Sequence, residues 1–269
     1  MVTFPQLFRY QSDRLPVALI AVLSAADLAV FAWAESWWLI IGWAVFGFAP
    51  KACICSWNHH HQHVATFRQR VLNRFLEVLY ALHTGISTNA WVLHHVLGHH
   101  LNYLDQSKDE SAWKNAKGVR MGALRYTLTI AGTGYWRAFK VGRNHPKYQR
   151  EFLSCGVIAL LLVGFLLYLN WQSALVLFVL PMVAGLLVTS WHTFYHHSGL
   201  DTDDPFQASH NIMHRWYNCL TGNLGYHTAH HVKPGLHWSK LPEFHATIAH
   251  RIPDALFVPP CIPFKWMPG

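Results

Sequence analysis

Histidine at short, repeated spacings is the chemical signature of this sequence. The chain carries 21 histidines, as many as its lysines and arginines together, against 13 acidic residues. They gather in four clusters. NHHHQH sets His59 and His63 four apart, with His60 and His61 between them; HHVLGHH sets His95, His99 and His100 at i, i+4, i+5, with His94 alongside. WHTFYHH holds His192, His196 and His197, and GYHTAHH holds His227, His230 and His231 at i, i+3, i+4. Residues three and four apart share a helix face, so each cluster aims imidazoles one way. Neutral imidazole ligates Zn, Cu, Fe or Ni without adding charge. Three or four suffice for one zinc; this many predict two metals with open coordination positions.

The other metal chemistries are missing. Soluble di-iron bundles use Glu and ExxH pairs, yet none of Glu35, Glu77, Glu110, Glu151 or Glu243 begins ExxH. HExxH is absent, which excludes a zincin protease. Cys53, Cys55, Cys155, Cys219 and Cys261 form no CxxC, so no zinc ribbon or iron–sulfur site is expected and the thiols are read as free.

The elements that position these histidines are apolar. Of the 269 residues, 52% are hydrophobic and 13% charged, about half the charged fraction of a soluble domain. One apolar block runs from about Leu15 to Pro50 and divides at Ala34-Glu35-Ser36. A second runs from about Phe152 to Tyr195 and divides near Asn170-Trp171-Gln172. Each half is about long enough to cross a bilayer. The expected fold is all-α and integral to the membrane. It has four transmembrane helices in two hairpins and a cytosolic or interfacial helical cap carrying the histidines. Ala32-Trp33-Ala34 resembles a signal-peptide cleavage site, but Asp27 in the middle of the segment favours a retained span.

Lysine and arginine are absent from 15–50 and from 151–214. The positive-inside rule therefore puts the hairpin turns outside, and both termini and the middle segment on the cytoplasmic side. All four clusters then fall at one depth on that side. Residues 70–97 read as one amphipathic stretch, and 119–140 as an interfacial helix. No repeat or low-complexity tract appears, and residues 1–269 read as one domain. The +8 formal charge belongs to a membrane protein's basic face; no nucleic-acid motif accompanies it.

The motifs HHHQH, HHVLGHH and HTAHH resemble the histidine boxes of the membrane-bound fatty acid desaturase and hydroxylase superfamily, over roughly residues 15–250. The resemblance implies a di-iron centre held by histidines. The first box falls on His59 and His63, the second on His95, His99 and His100, and the third on His227, His230 and His231. The HxxxHH spacing of the second box is similar to that of alkane monooxygenases; HxxHH is commoner in acyl desaturases. Where the family has NxxxH at the end of a span, this chain has His192 and His196, with His197 in the register shifted by one. The implied cofactors are two iron ions with O2 as co-substrate, and no catalytic residue beyond the ligands is expected. The implied reaction is desaturation of a fatty acyl chain. Hydroxylation of an alkyl chain, or oxidative decarboxylation to a terminal alkene, is the alternative. A histidine-rich metal transporter is the reading of another class, and it expects its sites near the bilayer midplane.

The chain has no GxGxxG, ferredoxin cysteine pattern or haem segment. Electrons are therefore expected from an external donor such as ferredoxin or rubredoxin. The basic residues Arg120, Arg125, Arg137, Lys140, Arg143 and Lys147 suit either that donor or anionic membrane lipid. His94, His210, His214, His237 and the aspartates 105, 109, 201, 203 and 204 are candidates to bond the outer nitrogens of ligating imidazoles. Asn218 and Asn223 are candidates to orient the last box. Trp113, Trp136, Trp216 and Trp238 are read as interface-belt residues.

Overall fold

The computed structural model describes residues 6–268, and these are helical, joined by turns and three isolated β-bridges. In chain order the helices are α1 (Arg14–Trp33), α2 (Trp37–His63), α3 (Arg70–Thr84), α4 (Thr88–Trp91), α5 (Ala123–Gly142), α6 (Pro146–Ala174), α7 (Leu180–His197), α8 (Arg215–Thr221), α9 (His227–Val232) and α10 (Leu241–Ile248). Two π-helical stretches, Val92–His100 and Leu175–Val179, follow α4 and α6. Among the described residues three helical runs are long and apolar enough to cross a membrane: Gln11–Trp33, Trp37–His63 and Pro146–His197. The third has 52 residues and is broken at Asn170, whose backbone (φ −156°, ψ 90°) is not helical. These runs leave large apolar side chains uncovered, among them Leu15, Trp38, Val45 and Leu160, as lipid-facing helices must. The chain divides into two compact units.

The first unit comprises the residues up to Asn89 and Arg150–Leu186. Ile20, Ile54, Leu76 and Tyr80 join α1, α2 and α3 in one core. Ile40, Leu166, Ala174, Leu177 and Phe178 form a second, with Val30, Phe31 and Ala34 against it. Both the turn at 34–36 and the break at Asn170 therefore lie at the same end of this unit. Asn170 caps the restarted helix, its Oδ1 accepting the Ser173 N–H at 3.1 Å.

Asp27, the odd residue of the first apolar block, is 1% exposed and pairs with Lys51 Nζ at 2.8 Å. Trp43 Nε1 donates to its other oxygen at 2.8 Å. Lys51 also donates to the Leu177 carbonyl at 3.1 Å; Leu177 lies in a π stretch, where i→i+5 bonding displaces the usual helical pairing. His83 lies 3.5 Å from Asp27 and 2.8 Å from the Ser24 hydroxyl. Burial, with the Lys51 side chain opposing the pull of Asp27, pushes His83 down to about 4, so His83 is neutral.

The amphipathic stretch expected over 70–97 is two elements. α3 ends at Gly85 in the left-handed conformation (φ 65°). A Cβ there would collide with the Met182 carbonyl oxygen, so only glycine lets the backbone pass.

The second unit comprises Ala90–Gln149 and the described residues from Leu187 onward. Here α5 packs on the π-helix: Gly134 abuts Trp91 and Gly142 meets Leu93, while Tyr126 and Ile130 on its buried side pack with Phe194. Tyr126 donates to the Ser111 carbonyl at 3.0 Å. Trp113, expected at the interface, is instead core, 4% exposed beside Met121, Tyr126 and Phe194. The chain after α9 closes the unit, packing Leu241, Ile248 and Leu256 against Phe206 and Ala229.

Candidate metal centre

The second box rides on the π-helix Val92–His100. The wider π turn pairs residues i and i+5, and His95 and His100 stand in that relation, their Nε2 atoms 3.1 Å apart. The third box rides on α9, an ordinary helix, where i, i+3 and i+4 converge. The extra residue in HxxxHH is therefore absorbed by the helix type, and both boxes present three imidazoles to one side.

Within the second unit these rings meet. His230 Nε2 lies 3.1 Å from His100 Nε2, which extends the group to His95. The ligand nitrogens of His99, His197 and His231 lie within 4.8 Å of one another. His227 Nε2 is 3.0 Å from His197 Nε2. All these rings are buried.

Hydrogen bonds on the outer nitrogens set the tautomers. His99 Nδ1 donates to Asp109 Oδ1 at 2.8 Å, in a pair about 1% exposed. His197 Nδ1 donates to the Ala208 carbonyl at 3.0 Å. Each Nε2 then carries a lone pair, yet the two face each other at 3.3 Å. Two lone pairs so close repel unless a cation lies between or beside them. His231 adds a buried ring with neither nitrogen hydrogen-bonded. Burial first, then the surrounding imidazoles, hold its pKa well below the ordinary 6.5, so it stays neutral. The donor set fits a metal ion of the class that prefers imidazole.

His196 and His192 are placed differently. His196 Nδ1 donates to the His210 carbonyl at 3.2 Å, and its Nε2 accepts the Tyr217 hydroxyl at 3.1 Å; its ring stacks on His227 at 3.9 Å. His192 sits beside Tyr217 and 4.0 Å from Cys261 Sγ. It is His197 that joins His99 and His231. In the first unit, His59 and His63 end α2 with rings 5.1 Å apart. His61 turns to Thr66 and Glu77.

Of the aspartates named from sequence, Asp109 bonds a box histidine. Asp201 pairs with Lys114, Asp105 with Lys108, and Asp204 caps the turn at Phe206. His214 and His237 cap short helices, and His94 stacks on Trp91. Burial, then the Arg137 cation, pushes His94 to about 3.

The segment 208–212 was not legible from spacing. The Ala208 carbonyl holds His197, and the His210 N–H donates to the His196 carbonyl at 2.8 Å. Asn211 Nδ2 donates to Thr228 Oγ1 at 2.8 Å and its Oδ1 accepts the Thr228 N–H at 3.0 Å. Thr228 stands between two box histidines, so this one strap braces both clusters. Asn218 secures the loop before α9, donating to the Ile212 carbonyl and accepting from the Gly225 N–H. At Gly225 a Cβ would strike the Ile212 carbonyl oxygen. The only signal for Asn211 is a polar residue in an otherwise unpatterned loop.

Helices long and apolar enough to cross a membrane, together with buried histidine clusters able to hold metal ions, are consistent with a membrane metalloprotein. The fatty acid desaturase family model matches residues 35–259, and the chain belongs to that family. Membership implies an oxidoreductase acting on lipid. Among curated proteins the sequence finds no match.

Proposed function

We propose that this protein is a membrane-bound di-iron oxidase that desaturates a fatty acyl chain. The observation that carries the reading is the face-to-face approach of His99 and His197, their outer nitrogens already committed to Asp109 and Ala208. With the family match, it makes iron the metal of choice. The ligand set comprises His59 and His63 from the first box, His95, His99 and His100, His197, and His227, His230 and His231. His196 and His192 are assigned supporting places, because His196 has both nitrogens bonded within the protein. That one family model runs through all four clusters supports a single domain over 1–269.

When bound, the iron pair with O2 and two electrons supplies the oxidant that an unactivated methylene requires. In balance, one CH2–CH2 unit gives CH=CH and two hydrogens, and O2 with those two hydrogens, two donor electrons and two protons gives two waters. The protein's own residues hold and orient. Asp109 and the Ala208 carbonyl fix two imidazoles in the ligating tautomer. The Asn211–Thr228 clamp sets α9, and neutral rings keep the centre free of added charge. An external donor such as ferredoxin or rubredoxin supplies the electrons.

The membrane topology we propose is four spans. A 52-residue helix would run about 78 Å, over twice the ~30 Å hydrocarbon core. Broken at Asn170, it gives two segments of spanning length. Exposed Trp33, Trp37 and Trp38 at the first turn, and Tyr168 and Trp171 at the break, suit an interfacial belt. The charge distribution supports termini and boxes on the cytoplasmic side. The HxxxHH spacing keeps alkyl hydroxylation, or decarboxylation to a terminal alkene, as the second reading.

Elemental analysis of purified wild type and His230→Ala tests the metal. Two irons per chain, reduced in the variant, are expected. Zinc, or metal content indifferent to His230, overturns the reading in favour of a transporter or hydrolytic site. Mass spectrometry of products then separates an alkene (minus two hydrogens) from an alcohol (plus one oxygen).

A further inference from the structure

The second unit carries a helix whose uncovered face has no use in the metal centre. On α5, Tyr126, Ile130 and Ala138 are at most 1% exposed, while Leu124 (68%), Leu128 (55%), Tyr135 (39%) and Trp136 (62%) stand open. Leu124, Leu128 and Tyr135, with half-buried Ala131 between them, follow i, i+4, i+7, i+11 and form a stripe along the helix, and Trp136 stands beside it on the Arg125 side. Arg125 lies on one flank of that stripe, and Arg143 and Lys147 follow at the C-terminal end, all exposed. Lys140, on the same flank, is within 3.9 Å of Glu110 and is partly spoken for. The next membrane-length run begins at Pro146, four residues past the end of α5, so the helix ends where a span enters the bilayer.

We propose that α5 lies in the plane of the membrane, its leucine–tyrosine stripe in the acyl boundary and Arg125, Arg143 and Lys147 on anionic lipid headgroups. An apolar stripe flanked by cations is the form of an interfacial helix. Because the membrane-length run from Pro146 starts four residues after α5 ends, the stripe lies beside the bilayer, and the occupant it fits is lipid rather than a water-soluble redox partner. Because the inner face of α5 packs on the π-helix of the second box, headgroup contact anchors that box at the membrane surface. The assignment is independent of which metal the centre holds.

Nitroxide labels test it on the full chain in lipid nanodiscs. Leu128→Cys and, as an aqueous reference, Lys117→Cys are made in a Cys219→Ser background and labelled. Collision with O2 and with a water-soluble nickel chelate is then read. The Leu128 label should be several-fold less open to nickel than the Lys117 label and more open to O2. Its immersion should be deeper in phosphatidylglycerol than in phosphatidylcholine, and Arg125→Gln/Arg143→Gln/Lys147→Gln should remove that difference. A Leu128 label as open to nickel as Lys117 overturns the proposal, and protection appearing only on addition of an acidic ferredoxin overturns it in favour of a donor-docking face. Equal immersion in both lipids overturns the headgroup assignment.

Discussion

Asp109 illustrates how one side chain governs a proposed metal ligand it never replaces. Its carboxylate accepts from His99 Nδ1 and from the Ser111 N–H at 2.7 Å, which pins the ring and raises the basicity of the opposite nitrogen. Asp109→Leu is expected to lower iron affinity about 10–100-fold, with Asp109→Asn milder because it still accepts. Iron content after titration with a chelator reads the difference. His83 predicts a pH response. In the unfolded chain it takes a proton as pH falls through 6.5; in the fold, enclosed by Ser24, Asp27 and Lys51, it stays neutral until about 4. The unfolded state therefore binds more protons in that window. The contribution is complete above 6.5 and is lost as pH falls toward 4. Thermal unfolding from pH 7 to 4 should show a falling midpoint, with a flatter slope in His83→Gln.

At the scale of elements, two braces are separable. The Asn211–Thr228 clamp is wholly buried, at 0% exposure for both residues. Thr228→Val leaves the Asn211 amide short of a partner, at about 1–3 kcal/mol. It should lose metal before it loses fold, whereas Thr228→Ser retains the hydroxyl and should restore metal content. The Asp27–Lys51 pair ties α1 to α2 and to the π stretch at Leu177. Lys51→Met strands a buried carboxylate and should cost about 3–5 kcal/mol. Asp27→Leu combined with Lys51→Met should recover much of that, read by unfolding in detergent. Element boundaries were the least legible feature of the sequence. Apolar periodicity runs from α3 toward the second box across a local stop signal, Gly85 followed by Ser87-Thr88-Asn89, and the Met182 carbonyl packed against Gly85 is a contact from distant sequence. Nothing in HHVLGHH announces a π-helix either, since local spacing does not state which hydrogen-bond register wins.

At the scale of the whole molecule, the proposed topology makes Cys219 accessible from the cytoplasmic side. It is the one exposed cysteine of the five, so a membrane-impermeant maleimide should label it in inside-out vesicles and spare it in right-side-out ones. What the sequence by itself determined is chemical and periodic. Twenty-one histidines in a chain poor in carboxylates, boxes at helical spacing, and apolar blocks of membrane length point to helices able to cross a membrane and to histidine clusters able to hold metal, because ligand type and hydropathy are properties of residues and their neighbours in line. The tertiary structure decided the selection among equals. WHTFYHH offers three imidazoles, and only the fold turns His197 to His99 and His231 while giving His196 to Tyr217 and the His210 carbonyl. It likewise chose Asp109 among five aspartates and drew Trp113 into the core. Each such choice depends on which groups meet across long stretches of chain, and burial decides whether a polar group must find its partner there.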